Sequence, residues 1–189
     1  MNDIDVRKAV HKKLLKKYHD DPSTLIVDEL GICLGACRVD IAVLNGSLHG
    51  YELKSEKDTL ERLPSQIQHY SSVMDKVTLV VAESHLDEAK EIIPDWWGIK
   101  VVTKGSKGAI HISHERAEKK NKHIDSFNLA QLLWKDECVH LLDKWGLAKG
   151  YRSKARHLLW PVISEGIPGD TLRDEVRTIL KQRTEWKRS

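Results

Sequence analysis

Asp40, Glu52 and Lys54 are the residues of this sequence whose types and spacing could do chemistry. Two carboxylates set side by side can share a hard divalent cation through their oxygens. A lysine beside them can polarise a water and offset phosphate charge. Such a set could hydrolyse a phosphodiester, with the metal stabilising the developing charge and the water attacking. Whether the three meet depends on the elements that carry them. Residues 38–44 (RVDIAVL) are rich in β-branched side chains, and Asn45-Gly46 is a strong hairpin-turn signal. Residues 48–54 (LHGYELK) then read as the returning strand. A hairpin turning at Asn45-Gly46 makes Asp40 and Glu52 near cross-strand partners, and Lys54 shares the face of Glu52. A solvated strand face with Glu and Lys two apart is the plain alternative.

The flanking patterns supply the rest of the scaffold. Val6, Val10, Leu14 and Leu15 form a stripe that predicts an amphipathic helix over 5–18, and residues 24–27 read as a short strand. A helix is predicted over 59–74, its main part starting near Pro64 or Ser65. Residues 77–82 (VTLVVA) are the continuous apolar run of a central strand. A helix over 85–93, a strand over 99–103 and a short edge strand over 109–113 follow. This order predicts an α/β core with a mixed sheet flanked by helices. From Glu115 the character changes: 115–122 is almost all charged and reads as a linker. Helical patterns then cover 126–145, 153–163 and 171–186, with Asp170 or Thr171 as the cap of the last. Trp134, Trp145 and Trp160 recur along these helices and are expected in a bundle core.

Bulk properties bound the function. The 189 residues suit one domain, or one domain with a helical appendage, and 40% hydrophobic residues can fill its core. No apolar run is long enough to span a membrane, and the basic, amphipathic first residues do not resemble a secretory signal. A cytoplasmic protein with no membrane partner is expected. Three cysteines, an odd number without framework spacing, fit a reducing compartment. A net charge of +3 permits a nucleic-acid partner without demonstrating one.

Asp40 followed by Glu52-Leu53-Lys54 resembles the D…(D/E)-x-K signature of the PD-(D/E)XK nuclease superfamily. Gln66-Ile67-Gln68-His69-Tyr70, on the helix after that strand, resembles the Q-x-x-x-Y motif of its RecB-like branch. The run 27–81 also resembles a family of small bacterial proteins placed in that superfamily, a likeness that continues into the helical C-terminus. The resemblance implies a restriction-endonuclease-like core over 1–114, a linker over 115–125 and an all-helical region over 126–189. It implies a Mg²⁺- or Mn²⁺-dependent nuclease, a hydrolase of bacterial or phage origin acting on DNA. Asp40, Glu52, Lys54, Gln66 and Tyr70 would be its catalytic residues, with Asp40, Glu52 and upstream Glu29 as metal ligands. Val39 stands where the superfamily's name has proline.

Positive charge concentrates elsewhere. Lys149, Arg152, Lys154 and Arg156 surround Gly150-Tyr151 at a turn leading into a helix, a placement that favours phosphate. A solvated bundle face is the equal alternative. Arg38 could contact phosphate or simply point outward from its strand. Lys181, Arg183, Lys187 and Arg188 add charge near Trp186. Nucleic acid, DNA first, is thus the expected partner, with a homodimer or a protein partner also open. The alternative to a nuclease is a non-catalytic nucleic-acid-binding or partner-docking component of a DNA repair or defence system.

Overall fold

The computed structural model describes residues 1–183; Trp186, Lys187 and Arg188 lie outside the described residues. Six strands, β1 (Leu25–Ile32), β2 (Cys37–Leu44), β3 (Leu48–Lys54), β4 (Lys76–Ala82), β5 (Gly98–Lys104) and β6 (Ile110–Arg116), form one sheet in sequence order. The pairs β1–β2, β2–β3 and β5–β6 are antiparallel, whereas β3–β4 and β4–β5 are parallel. The parallel steps need crossovers, and α3 (Leu63–Val73) and α4 (Leu86–Ile92) provide them. Thus the mixed α/β sheet flanked by helices, with further helices at the C-terminus, is as expected.

The sheet is covered on both faces, which is why all seven residues of β3 are buried. On one side Val6, Val10 and Leu15 of the N-terminal helical segment pack on Ile41, Val43, Tyr51, Leu53 and Val80. That segment comprises α1 (Asp3–Ala9), a π-helical turn Val10–Leu14 and α2 (Lys16–His19), not one continuous helix. Asn2 caps it by accepting from Asp5 N at 2.9 Å. On the other side the alternate strand residues Val39, Ala42, Leu79 and Val81 meet α3 and the C-terminal helices. Leu129, Leu133, Leu141, Trp160 and Leu172 belong to this same buried cluster. Each such side chain stabilises the fold by about 1.5–3 kcal/mol.

Several boundaries differ from expectation for local reasons. β1 runs past residue 27 to Ile32, because pairing as far as Ile32↔Cys37 holds a polar stretch extended. The helix expected over 126–145 is two, α5 (Ser126–Ala130) and α6 (Lys135–Lys144). Glu137 accepts the Trp134 N–H at 2.7 Å and so starts a new helix there. α7 (Arg156–Gly166) and α8 (Gly169–Gln182) follow. α8 begins ahead of the expected caps, with Pro168 preceding its first residue and Asp170 in its first turn. Trp160 is core at 4% exposure, while Trp134 and Trp145 are half-buried. In the charged stretch after β6, Asn121 is buried and donates to Ser71 O and Met74 O.

Candidate functional site: a closed acidic row at one end of the sheet

Register places the three acidic candidates side by side. Ile41 pairs with Tyr51, so the next step of that ladder sets Asp40 opposite Glu52. Asp28 pairs with Ile41 and Leu30 with Val39, which sets Glu29 opposite Asp40 on the other side. Glu29 leaves the ladder at that level with φ 58°, a left-handed conformation rare for a side-chain-bearing residue. Gln66 and Tyr70 are one turn apart on α3, which lies over β3. All five predicted catalytic residues are therefore neighbours.

What binds them together is the cluster itself. Glu52, 1% exposed, accepts from Lys54 Nζ at 2.8 Å and Gln66 Nε2 at 2.7 Å through Oε1. Its Oε2 accepts from the Tyr70 hydroxyl at 2.5 Å. Gln66 Oε1 accepts from Lys54 Nζ at 2.9 Å, closing a three-membered ring of contacts. Asp40 Oδ2 accepts the Leu53 amide at 2.8 Å, and Arg7 reaches its Oδ1 at 3.3 Å and its carbonyl at 2.6 Å. Arg7 also holds Glu29 at 2.6 Å, and Arg38 stands 3.6 Å from Glu29. The sequence contains no local signal for Arg7, since 33 residues separate it from Asp40.

The close fit of α3 on β3 needs Gly50. A Cβ there would lie 3.1 Å from Tyr70 Cε1 and 3.3 Å from Met74 Cγ. Gly50→Ala should push Tyr70 away from Glu52 and cost about 1–3 kcal/mol in urea unfolding. A neutral Gly50→Ala would show that this approach is not tight.

Electrostatics follow from crowding acids in a dry place. Burial, with Glu52 next, pushes Asp40 up to about 7, against the pull of the Leu53 amide and Arg7. Burial and the two carboxylates push the Tyr70 hydroxyl well above its usual range, so it remains a donor. On the opposite face, burial pushes His49 down to about 4; it contacts Thr78 at 2.9 Å. The two shifts act oppositely on stability. The Asp40 contribution is lost as pH rises from 3.8 to about 7, because the unfolded chain ionises first. The His49 contribution is lost as pH falls from 6.5 to about 4, because the unfolded chain protonates first. Asp40→Asn is therefore expected to make urea stability rise more steeply with pH across this shared window than in the parent. Superimposable pH profiles of variant and parent would contradict the assigned Asp40 environment.

Among the described residues no group of three or more His, Cys, Asp or Glu is placed to hold a metal ion. The oxygens that Mg²⁺ or Mn²⁺ would need on Asp40, Glu52 and Glu29 already accept from Arg7, Lys54, Gln66, Tyr70 and Leu53. The arrangement does not fit such an ion without exchanging Lys54 and Arg7, and no step is derived through one.

The basic candidates lie apart from this row. Lys149, Arg152, Lys154 and Arg156 occupy a continuously exposed run, 149–158, between α6 and the first turn of α7. Arg152 pairs with Asp143 at 2.6 Å. Among the described residues Lys149, Lys154 and Arg156 have no carboxylate within ion-pair distance, and Arg156 stacks 5.1 Å from the Trp160 ring centre. A groove of about 660 Å³ separates the β1–β2 end of the sheet from the C-terminal helices, and both Arg38 and Arg156 line it. Sequence reasoning had no means of joining those two arginines.

Fold and site thus define a mixed α/β protein with a buried, internally satisfied ion network and a separate basic surface. The chain belongs to the family described as bacteriophage P4 protein cII, whose model matches residues 2–189. It is similar to Protein cII of Enterobacteria phage P4, with 25% identity over 183 residues covering 97% of this chain and 68% of that protein. No solved structure matches. These findings correct the resemblance to the PD-(D/E)XK superfamily and, with it, the expectation of a Mg²⁺-dependent nuclease, an endonuclease or any hydrolase. The family is that of a phage protein, consistent with the expected bacterial or phage origin. The physical reason for the misreading is that D…E-x-K and Q-x-x-x-Y specify which residues meet, and the same meeting builds a closed structural network. Among the described residues no helix is long and apolar enough to cross a membrane.

Proposed function

We propose that this protein binds nucleic acid without cutting it, using the exposed run 149–158 and the groove edge formed by Arg38 and Arg156. The supporting observation is that Arg38 on β2 and Arg156 on α7 face one groove beside cations that lack protein carboxylate partners. Unpaired lysine and arginine next to the start of a helix suit phosphate oxygens. The acidic row keeps the nearby sheet end rigid, and Arg7 holds Glu29 as a partner, which limits its repulsion of a phosphate backbone. Fluorescence anisotropy with labelled duplex and single-stranded DNA, repeated at rising salt, tests this. Binding that weakens steeply with salt is expected. Absence of binding to either form at low salt would refute it.

A further inference from the structure

A second cavity, of about 460 Å³, lies at the end of the sheet remote from Lys54. The β2–β3 turn at 45–47, the start of β4, the stretch after β6 and one face of α8 enclose it. Asp75, 4% exposed, lines it. Its Oδ2 accepts from Leu48 N at 2.8 Å and from Arg177 Nη1 at 2.9 Å. Its Oδ1 is buried and has no hydrogen-bond partner. A buried carboxylate oxygen left without a donor is costly, so this atom calls for a donor from outside the chain.

The same cavity offers positive charge. Lys120 is exposed and, among the described residues, has no carboxylate within ion-pair distance. Lys76 is 4.0 Å from Glu118, a marginal contact. Arg173 stands 3.4 Å from Asp170, whose side chain is 91% exposed and so weakly held. A metal cation does not suit this place, because the Arg177 guanidinium already sits on Asp75. The chemistry instead asks for a ligand that is anionic at one end and donates a hydrogen bond at the other. A nucleotide has both, and its size suits a cavity of this class.

We propose that this cavity binds a nucleotide, its phosphate held by Lys120, Lys76 and Arg173 and a base or ribose donor meeting Asp75 Oδ1. The site is separate from the basic run at 149–158 and stands independently of it. The nucleotide is either free or the phosphorylated end of a strand.

Isothermal titration of the full chain with each common nucleoside monophosphate, inorganic phosphate and adenosine tests the proposal. At least one monophosphate should bind about tenfold or more tighter than phosphate or adenosine, since both ends contribute. Lys120→Ala, an exposed change that leaves the core intact, should weaken that binding about tenfold. Asp75→Asn should weaken the monophosphate while leaving phosphate unchanged. Competition by a 5′-phosphorylated oligonucleotide, and not by its unphosphorylated form, identifies the strand end as the source; lack of competition identifies the free nucleotide. Monophosphate and phosphate binding alike, as expected if a water alone satisfies Asp75, overturns the proposal. So does monophosphate binding that Lys120→Ala leaves unchanged.

Discussion

Lys54→Met is expected to lower the unfolding free energy by about 3–5 kcal/mol, the cost of stranding a buried charge. Glu52 is 1% and Lys54 4% exposed, so neither finds water when its partner goes. Lys54 Nζ donates to both Glu52 and Gln66, and its loss leaves two acceptor oxygens short of a donor. Removing both charges is milder than removing one, because no charge is then left buried alone. The double variant Glu52→Gln/Lys54→Met should therefore recover part of the loss. Urea unfolding of the parent, the single and the double variants checks this. A loss below about 1 kcal/mol for Lys54→Met would place the pair among solvent-screened surface ion pairs.

Replacing Lys149, Arg152, Lys154 and Arg156 together by alanine should weaken DNA binding at low salt by about a hundredfold or more, by loss of released counterions. The dependence of binding on salt should flatten by about 3–4 in logarithmic slope for duplex DNA if all four meet phosphate. Arg152→Ala alone should have the smallest single effect, since Asp143 already engages that guanidinium. All four residues are exposed and hold none of the core, so the variant should melt like the parent. Anisotropy titrations across a salt series measure both quantities. An unchanged slope would remove this surface from the interface.

The hairpin was legible in the sequence because its signals are local. β-branched runs on either side of Asn45-Gly46 set the turn, and the two-residue period of a strand then placed Asp40, Glu52 and Lys54 on the α3 side. Gln66 and Tyr70, four apart, had to share a helix face. Their function was not legible. The motif resemblance read these residues as free to bind metal and activate water, whereas Lys54, Gln66 and Tyr70 spend their hydrogen bonds on Glu52. A pattern of residue types records who meets whom and says nothing about whose lone pairs remain open.

By itself the sequence determined the mixed α/β class, the order of its strands and the membership of the acidic row, all products of short-range periodicity and turn chemistry. Only the tertiary structure decided that Arg7 would tie Asp40 to Glu29, and that Arg38 and Arg156 would face each other across one groove. It also decided that one oxygen of Asp75 would lie buried without a donor beside α8. Each joins residues far apart in the chain, and such contacts depend on how whole elements pack, because burial is non-directional and leaves little trace in local sequence.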